Sequence, residues 1–352
     1  MTKLESIQAV VDRHAVLGMA IVVAAVDPEW GGGIKYIYAT SSPMRSDGSP
    51  LDLSPVTQFE IASITKTFTA TMYLDRIGGL DGSFKDQVTL PFPESVLNMP
   101  IQALSNYTSG FPPDNDSNFG IDARKSLKEL CHWFNTKFPP ENKPVSNCGV
   151  VYSYSNLAFD LLSFAALWCS SVNDDVLSMY NSQLVILLSH LSLTMPNTTL
   201  YEASMISSLP LGFSDSGPFP IPAQEDMYDP VSGAIMDFGS GSLVSTAEDM
   251  AQWLLWNMGQ LGSNPGLALQ LQQPNWGLLP YSGVDTVIVS NSWFLGQVPP
   301  NLGPRPPNLR ASQAGLGFNN GRTHLVRPNL VVSFSQAGQM RTPSVFRSSK
   351  FC

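Results

Sequence analysis

Charge is scarce in this chain. Asp, Glu, Lys and Arg make up only 13% of its 352 residues, about half the usual share, so Ser, Thr, Asn and Gln carry most of the polarity. The basic side is the scarcer one, with 19 Lys and Arg against 28 Asp and Glu, for a formal net charge of -9. No basic stretch offsets that balance, which argues against nucleic acid or an anionic membrane surface as the main partner. Long apolar runs are missing too. Nothing reaches the 18 residues of a membrane span, and Met1-Thr2-Lys3-Leu4-Glu5-Ser6 lacks the apolar core of a signal peptide. As written the chain reads as cytoplasmic, or as secreted if a leader has been removed; sequons at Asn106, Asn115 and Asn197 fit the second case.

Other absences narrow the chemistry. The four cysteines, Cys131, Cys148, Cys169 and Cys352, show no C-x-x-C spacing. This argues against a zinc or redox site and leaves buried free thiols as the expected state. H-E-x-x-H and G-x-S-x-G are absent, and the four histidines (His14, His132, His190, His324) read as surface or packing residues. Asp114, Asn115 and Asp116 lack the spacing of a calcium loop, and Gly315 to Gly321 only approaches a dinucleotide fingerprint without its βαβ context. No cofactor and no metal is expected, and no oligomeric state follows from the chain.

What is present is ample core material, at 43% hydrophobic residues. An opening helix, strands at 17–27 and 34–39, and apolar runs at 284–290, 322–326 and 329–335 give strand character to both ends of the chain. Between them, helical periodicity covers 126–138, 156–169 and 176–191. Ser245-Thr246-Ala247-Glu248 reads as a capping box for a further helix whose Met250, Trp253 and Trp256 pack in the core. The expected class is α/β plus α: an α/β lobe built from residues 1–79 and 240–352, and a mainly helical lobe over 80–239. A cleft between the two lobes would hold the substrate.

One short motif carries chemistry. Ser63-Ile64-Thr65-Lys66 opens a helix expected from Ile64 to Ile77, with Gly78-Gly79 to end it. Side chains at i and i+3 share a helix face, so the Lys66 amine can reach the Ser63 oxygen. An amine held away from water gives up its proton more readily and can then accept the serine proton. Some ninety residues later comes Tyr154-Ser155-Asn156, the only Tyr-x-Asn, on a loop before a strongly apolar helix.

This order resembles the serine β-lactamase-like family, which includes class C β-lactamases, D-alanyl-D-alanine carboxypeptidases, family VIII esterases and related fungal acyltransferases. Phe59 to Ala70 is similar to the family's nucleophile segment, Leu104 to Pro112 to its "LLTHTSGLP" loop, and Ser245 to Met250 to its "STAEDM" helix start. The resemblance implies an antiparallel sheet flanked by helices with an inserted all-α lobe. It makes Ser63 the nucleophile, Lys66 and Tyr154 the acid/base pair and Asn156 an orienting amide. The family's third motif, Lys-Thr-Gly or His-x-Gly, has its best counterpart in Gln313-Ala314-Gly315. There Gly315 would let substrate lie close, and the backbone N–H groups of Ser63 and Leu316 would form the oxyanion hole. A neutral Gln313 lacks the cation that usually binds a substrate carboxylate. The expectation is therefore a hydrolase acting on a small-molecule ester or thioester through an acyl-serine. The alternatives are an acyltransferase of fungal-type secondary metabolism, a β-lactamase or carboxypeptidase, and a catalytically retired binding member.

Overall fold

The computed structural model describes residues 2–14, 20–26, 33–40, 43–111, 126–138, 148, 154–214, 217–219, 238–272, 279–281, 284–289, 294–296 and 330–335. Helix α1 (Lys3–His14) begins at a reciprocal cap. The Thr2 hydroxyl accepts from the Glu5 backbone N–H at 3.2 Å and the Glu5 carboxylate accepts from the Thr2 N–H at 2.7 Å. Strands β1 (Ala20–Val26) and β2 (Ile34–Thr40) form an antiparallel pair running from Ala20 opposite Thr40 to Val26 opposite Ile34. The free edge of β1 pairs with β11 (Leu330–Ser335), so the sheet order is β11-β1-β2 and late chain lies beside early chain. Strand β1 reads AIVVAAV because both its faces are covered. Val22 and Ala24 enter the main core, whereas Ile21 and Val23 meet Val11 of α1 and Ile37 of β2.

Helix α2 (Thr65–Ile77) runs through the middle of the molecule and is buried from Thr65 to Leu74. It stops where foreseen, at Gly78, whose φ of 82° suits glycine and whose N–H donates to the Leu74 carbonyl at 2.8 Å. Beside it lies α6 (Asn156–Leu167), with all twelve residues buried. A helix apolar on nearly every side belongs inside the protein rather than on its surface. Phe68 of α2 stacks on Trp253 of α8 (Ala247–Asn257), with ring centroids 3.9 Å apart and planes 13° apart. Truncating such a ring to alanine costs about 3–5 kcal/mol. Met250, Trp253 and Trp256 are core residues, as their pattern suggests.

Among the described residues the remaining α-helices are α3 (Glu94–Leu97), α4 (Ile101–Ser105), α5 (Leu127–Thr136), α7 (Val176–His190) and α9 (Pro265–Gln272). Helices α5, α6 and α7 match the three expected helical stretches to within two residues at each end. A small antiparallel sheet, order β3-β7-β4, joins β3 (Gln58–Glu60), β7 (Leu243–Thr246) and β4 (Thr199–Leu200). Strands β5 (Gly212–Ser214) and β6 (Gly217–Phe219) pair with each other, and β8 (Leu279–Tyr281), β9 (Val284–Val289) and β10 (Phe294–Gly296) form a further antiparallel sheet. The apolar run at 322–326 lies outside the described residues.

Two sequence expectations need correction. The cap of α8 is Thr246, whose hydroxyl accepts from the Asp249 N–H at 3.1 Å. Ser245 is still on β7, opposite Phe59, and its hydroxyl bonds Thr198 at 2.8 Å. The strand keeps its pairing one residue longer than the capping-box pattern implies. The sequon at Asn106 is a structural turn instead: Asn106 is buried and its side-chain oxygen accepts from the Thr108 hydroxyl at 2.6 Å. Asn197 is half-buried, and Asn115 lies outside the described residues.

Cys131 and Cys169 are buried free thiols and Cys148 a half-buried one; Cys352 lies outside the described residues. Burial pushes the Cys131 and Cys169 thiols up to about 12. A thiol alkylates through its thiolate. Iodoacetamide at pH 8 should therefore leave the peptides carrying Cys131 and Cys169 unmodified in folded protein and modify both in urea, as read by peptide mass mapping. Equal labelling in both conditions would contradict this burial. His132 is exposed, and His190 sits at the surface with Nδ1 2.9 Å from Asp75 Oδ2. Among the described residues no helix is long and apolar enough to cross a membrane.

Candidate active site

Ser63 lies in a 3-10 turn, Ala62–Ile64, between β3 and the first residue of α2. The turn is tight and tied down. Ala62 has a φ of 44°, in the left-handed region that costs a non-glycine residue about 1–2 kcal/mol. The Ile61 N–H donates to the Leu243 carbonyl of β7 at 2.9 Å, and the Leu243 N–H donates to the Thr65 hydroxyl at 3.1 Å. These two bonds clamp the start of α2 to the small sheet and hold the strained turn in place. The expected α-helix from Ile64 thus begins one residue later, and the one-turn relation between Ser63 and Lys66 survives.

Lys66 is completely buried. Its Nζ donates to Asn156 Oδ1 at 2.7 Å and to the Ser240 carbonyl at 2.7 Å, and lies 3.0 Å from Ser63 Oγ. It also stands 4.8 Å from the centroid of the Tyr154 ring and 5.7 Å from that of Phe159. An ammonium has three N–H groups for these three acceptors. A neutral amine would spend two N–H groups on Asn156 and Ser240, and its lone pair would then face the Ser63 hydroxyl. The surroundings therefore orient this amine in either protonation state.

Tyr154 completes the set. Its hydroxyl is 2.5 Å from Ser63 Oγ, a distance at which either oxygen can hold the shared proton. Two residues later the chain enters α6: Ser155 is the cap, accepting from the Ala158 N–H at 3.2 Å, and Asn156 is the first helical residue. A single helix start therefore delivers both Tyr154 and Asn156 to Lys66. Ser63, Lys66, Tyr154 and Asn156, singled out by spacing, are brought together. Gln313, Gly315 and Leu316 lie outside the described residues. Among the described residues no group of three or more His, Cys, Asp or Glu could hold a metal ion.

Two partners were not foreseen. The Ser240 carbonyl holds Lys66 through the main chain, and a backbone acceptor has no residue signature. The other is Tyr107, buried with a φ of 63°, whose ring stacks on Tyr154 with centroids 5.1 Å apart and planes 14° apart and meets Phe159 at 5.2 Å. It lies within the Leu104 to Pro112 segment, so the segment was visible while the role was not. Stacking fixes the plane of the Tyr154 ring, and misplacing a reacting group by about 1 Å can cost 10²-fold. Tyr107→Leu should therefore slow reaction at Ser63 by about tenfold to a hundredfold, and Tyr107→Phe, which keeps the ring, should lose much less. Equal rates in the two variants would remove the stack from the account.

A protein-family model described as Beta-lactamase matches residues 5–305. Among solved structures, a β-lactamase/D-alanine carboxypeptidase from Pseudomonas syringae aligns with a TM-score of 0.55 at 20% identity, over 78% of this chain and 69% of its own. A class C β-lactamase from Rhodobacter sphaeroides gives 0.54 at 19% identity, over 83% and 73%. A D-alanine carboxypeptidase from Burkholderia cenocepacia gives 0.55 at 17% identity, over 81% and 71%. No curated protein matches the chain. At such identities the likeness concerns the fold.

Proposed function

The chain belongs to the β-lactamase family and has its serine-hydrolase fold, and from that premise we propose that Ser63 attacks an ester or thioester carbonyl and carries the acyl group as an acyl-serine. The observation that carries this reading is the convergence on one oxygen: Ser63 Oγ has the Tyr154 hydroxyl at 2.5 Å and Lys66 Nζ at 3.0 Å. As Oγ bonds to the carbonyl carbon, its proton passes to the Lys66 and Tyr154 pair. That pair returns the proton to the leaving alcohol or thiol as the carbon–oxygen or carbon–sulfur bond breaks. Asn156 and the Ser240 carbonyl keep the amine aimed. In our reading the backbone N–H groups of Ser63 and Leu316 receive the tetrahedral oxyanion, between a lobe of residues 1–79 and 240–352 and a helical lobe of 80–239.

The preference for esters over β-lactams rests on our reading of Gln313-Ala314-Gly315 as the counterpart of the family's Lys-Thr-Gly or His-x-Gly motif, which puts a neutral residue in place of a cation. The second half-reaction, with water or with an acceptor alcohol or amine, sets hydrolase apart from acyltransferase and uses the same acyl-serine.

Intact-protein mass measurement after incubation with a fluorophosphonate, p-nitrophenyl acyl esters and a nitrocefin-type β-lactam tests the reading. We expect an adduct on wild type and none on Ser63→Ala, with ester turnover and no β-lactam opening. β-Lactam opening would return the chain to the chemistry named for its structural neighbours. Folded protein with no adduct from any reagent would leave only a binding role for the cleft.

A further inference from the structure

Thr69 follows Lys66 by three residues on α2, so the two side chains share a face. Both reach the same turn. The Thr69 hydroxyl donates to the Gly239 carbonyl at 2.6 Å, and Lys66 Nζ donates to the next carbonyl, Ser240, at 2.7 Å. A threonine has one proton to give, and Thr69 has spent it. Its second contact, to Tyr180 of α7 at 2.8 Å, is therefore donated by the tyrosine hydroxyl. Tyr180 is fully buried; burial, and then the charge of Asp160, raise its pKa and keep it protonated as that donor requires.

Packing holds the turn on the side of α6, where Gly239 lies so close that a Cβ there would meet Ser163 Oγ at 1.6 Å. On one flank Phe238 and Ser242 border a cavity of about 440 Å³, lined also by Asp175, Leu177, Ser178 and Asn181. Phe238 meets the Tyr180 ring edge-on at 5.4 Å. On that flank hydrogen bonds, rather than close packing, limit where a carbonyl points.

We propose that Thr69 and Tyr180 are positioning residues, which through the chain Tyr180 O–H to Thr69 O–H to Gly239 C=O set the Ser240 carbonyl so that Lys66 presents its lone pair to Ser63. The inference rests on the reading of Lys66 as the base. Without the chain, the turn relaxes towards the cavity, Lys66 loses a fixed acceptor, and proton transfer slows while ester binding is kept.

The test compares Thr69→Val, which keeps shape and removes the hydroxyl, with Thr69→Ser, which keeps the hydroxyl, and with Tyr180→Phe. The acylation rate with a p-nitrophenyl ester is measured across pH by stopped flow, beside KM and a thermal melt, with Lys66→Met as control. Thr69→Val should acylate about tenfold more slowly or worse, with a displaced pH midpoint and little change in KM. Tyr180→Phe should move the same way by less, and Thr69→Ser should restore rate and profile. A folded Thr69→Val with wild-type rate and pH profile overturns the proposal, as does a Thr69→Ser equally slow. Should Thr69→Val not fold, Tyr180→Phe decides, and an unchanged pH profile there overturns the proposal. A wild-type rate in Lys66→Met would instead show the base assignment itself to be wrong.

Discussion

Lys66→Met is expected to slow acylation of Ser63 by on the order of 10³-fold, within the range that positioned general bases contribute. The side chain keeps its length and loses its N–H groups and lone pair, which among the described residues leaves the Tyr154 oxygen within reach of the serine proton. Stability should change far less than activity, because two effects oppose each other. Asn156 Oδ1 and the Ser240 carbonyl lose a donor in the interior, at about 1–3 kcal/mol each. Removing the amine also removes its own cost of burial, which is several kcal/mol for a charged group. The variant should therefore fold, and the rate of fluorophosphonate adduct formation read by intact mass separates chemistry from stability. A rate within tenfold of wild type would move the base role to Tyr154.

Gly239→Ala should damage both stability and activity. A methyl group there would fall 1.6 Å from Ser163 Oγ and 2.7 Å from Ser163 Cβ, with the Phe159 carbonyl at 3.2 Å. Ser163 cannot easily swing away, since its hydroxyl donates to that same Phe159 carbonyl at 2.8 Å within α6. The turn must move instead, and it takes with it the Gly239 carbonyl bound to Thr69 and the Ser240 carbonyl bound to Lys66. Overpacking of this kind costs about 3 kcal/mol, and the displaced acceptor should slow acylation at least as much as Thr69→Val does. Adding Ser163→Ala removes the oxygen clash but leaves the Cβ contact, so it should rescue in part. Ser163→Gly should relieve the clash more completely, less about 1 kcal/mol for a glycine inside a helix. Thermal melts and acylation rates of the four proteins check the order. A Gly239→Ala protein as stable and active as wild type would mean the turn has slack that its contacts do not suggest.

The arrangement of the candidate site was legible because it depends on side-chain types at fixed spacing. Ser63 and Lys66 lie one turn apart, and Tyr154 and Asn156 flank a helix cap; both relations survive in the structure. Periodicity likewise announced α2 and α6, since a helix that packs on several sides needs apolar residues on several sides. Patterning failed where two local solutions compete. Ser245 and Thr246 can each cap a helix, and the pairing of β7 with β3 selects Thr246. The triplet at Asn106 can be a sequon or a turn, and burial makes it a turn.

By itself the sequence determined which residues can do chemistry and which segments must be helix, because both are local properties of a few consecutive side chains. Only the tertiary structure decided what aims that chemistry. The Ser240 carbonyl lies 174 residues from Lys66, Tyr180 lies 111 residues from Thr69, and the ring of Tyr107 covers Tyr154 across an intervening stretch of chain. A main-chain carbonyl is the same group in every residue, and a stacking ring or a buried hydroxyl looks in sequence like any other core residue. Their places beside Lys66, Thr69 and Tyr154 exist only once packing brings distant parts of the chain together.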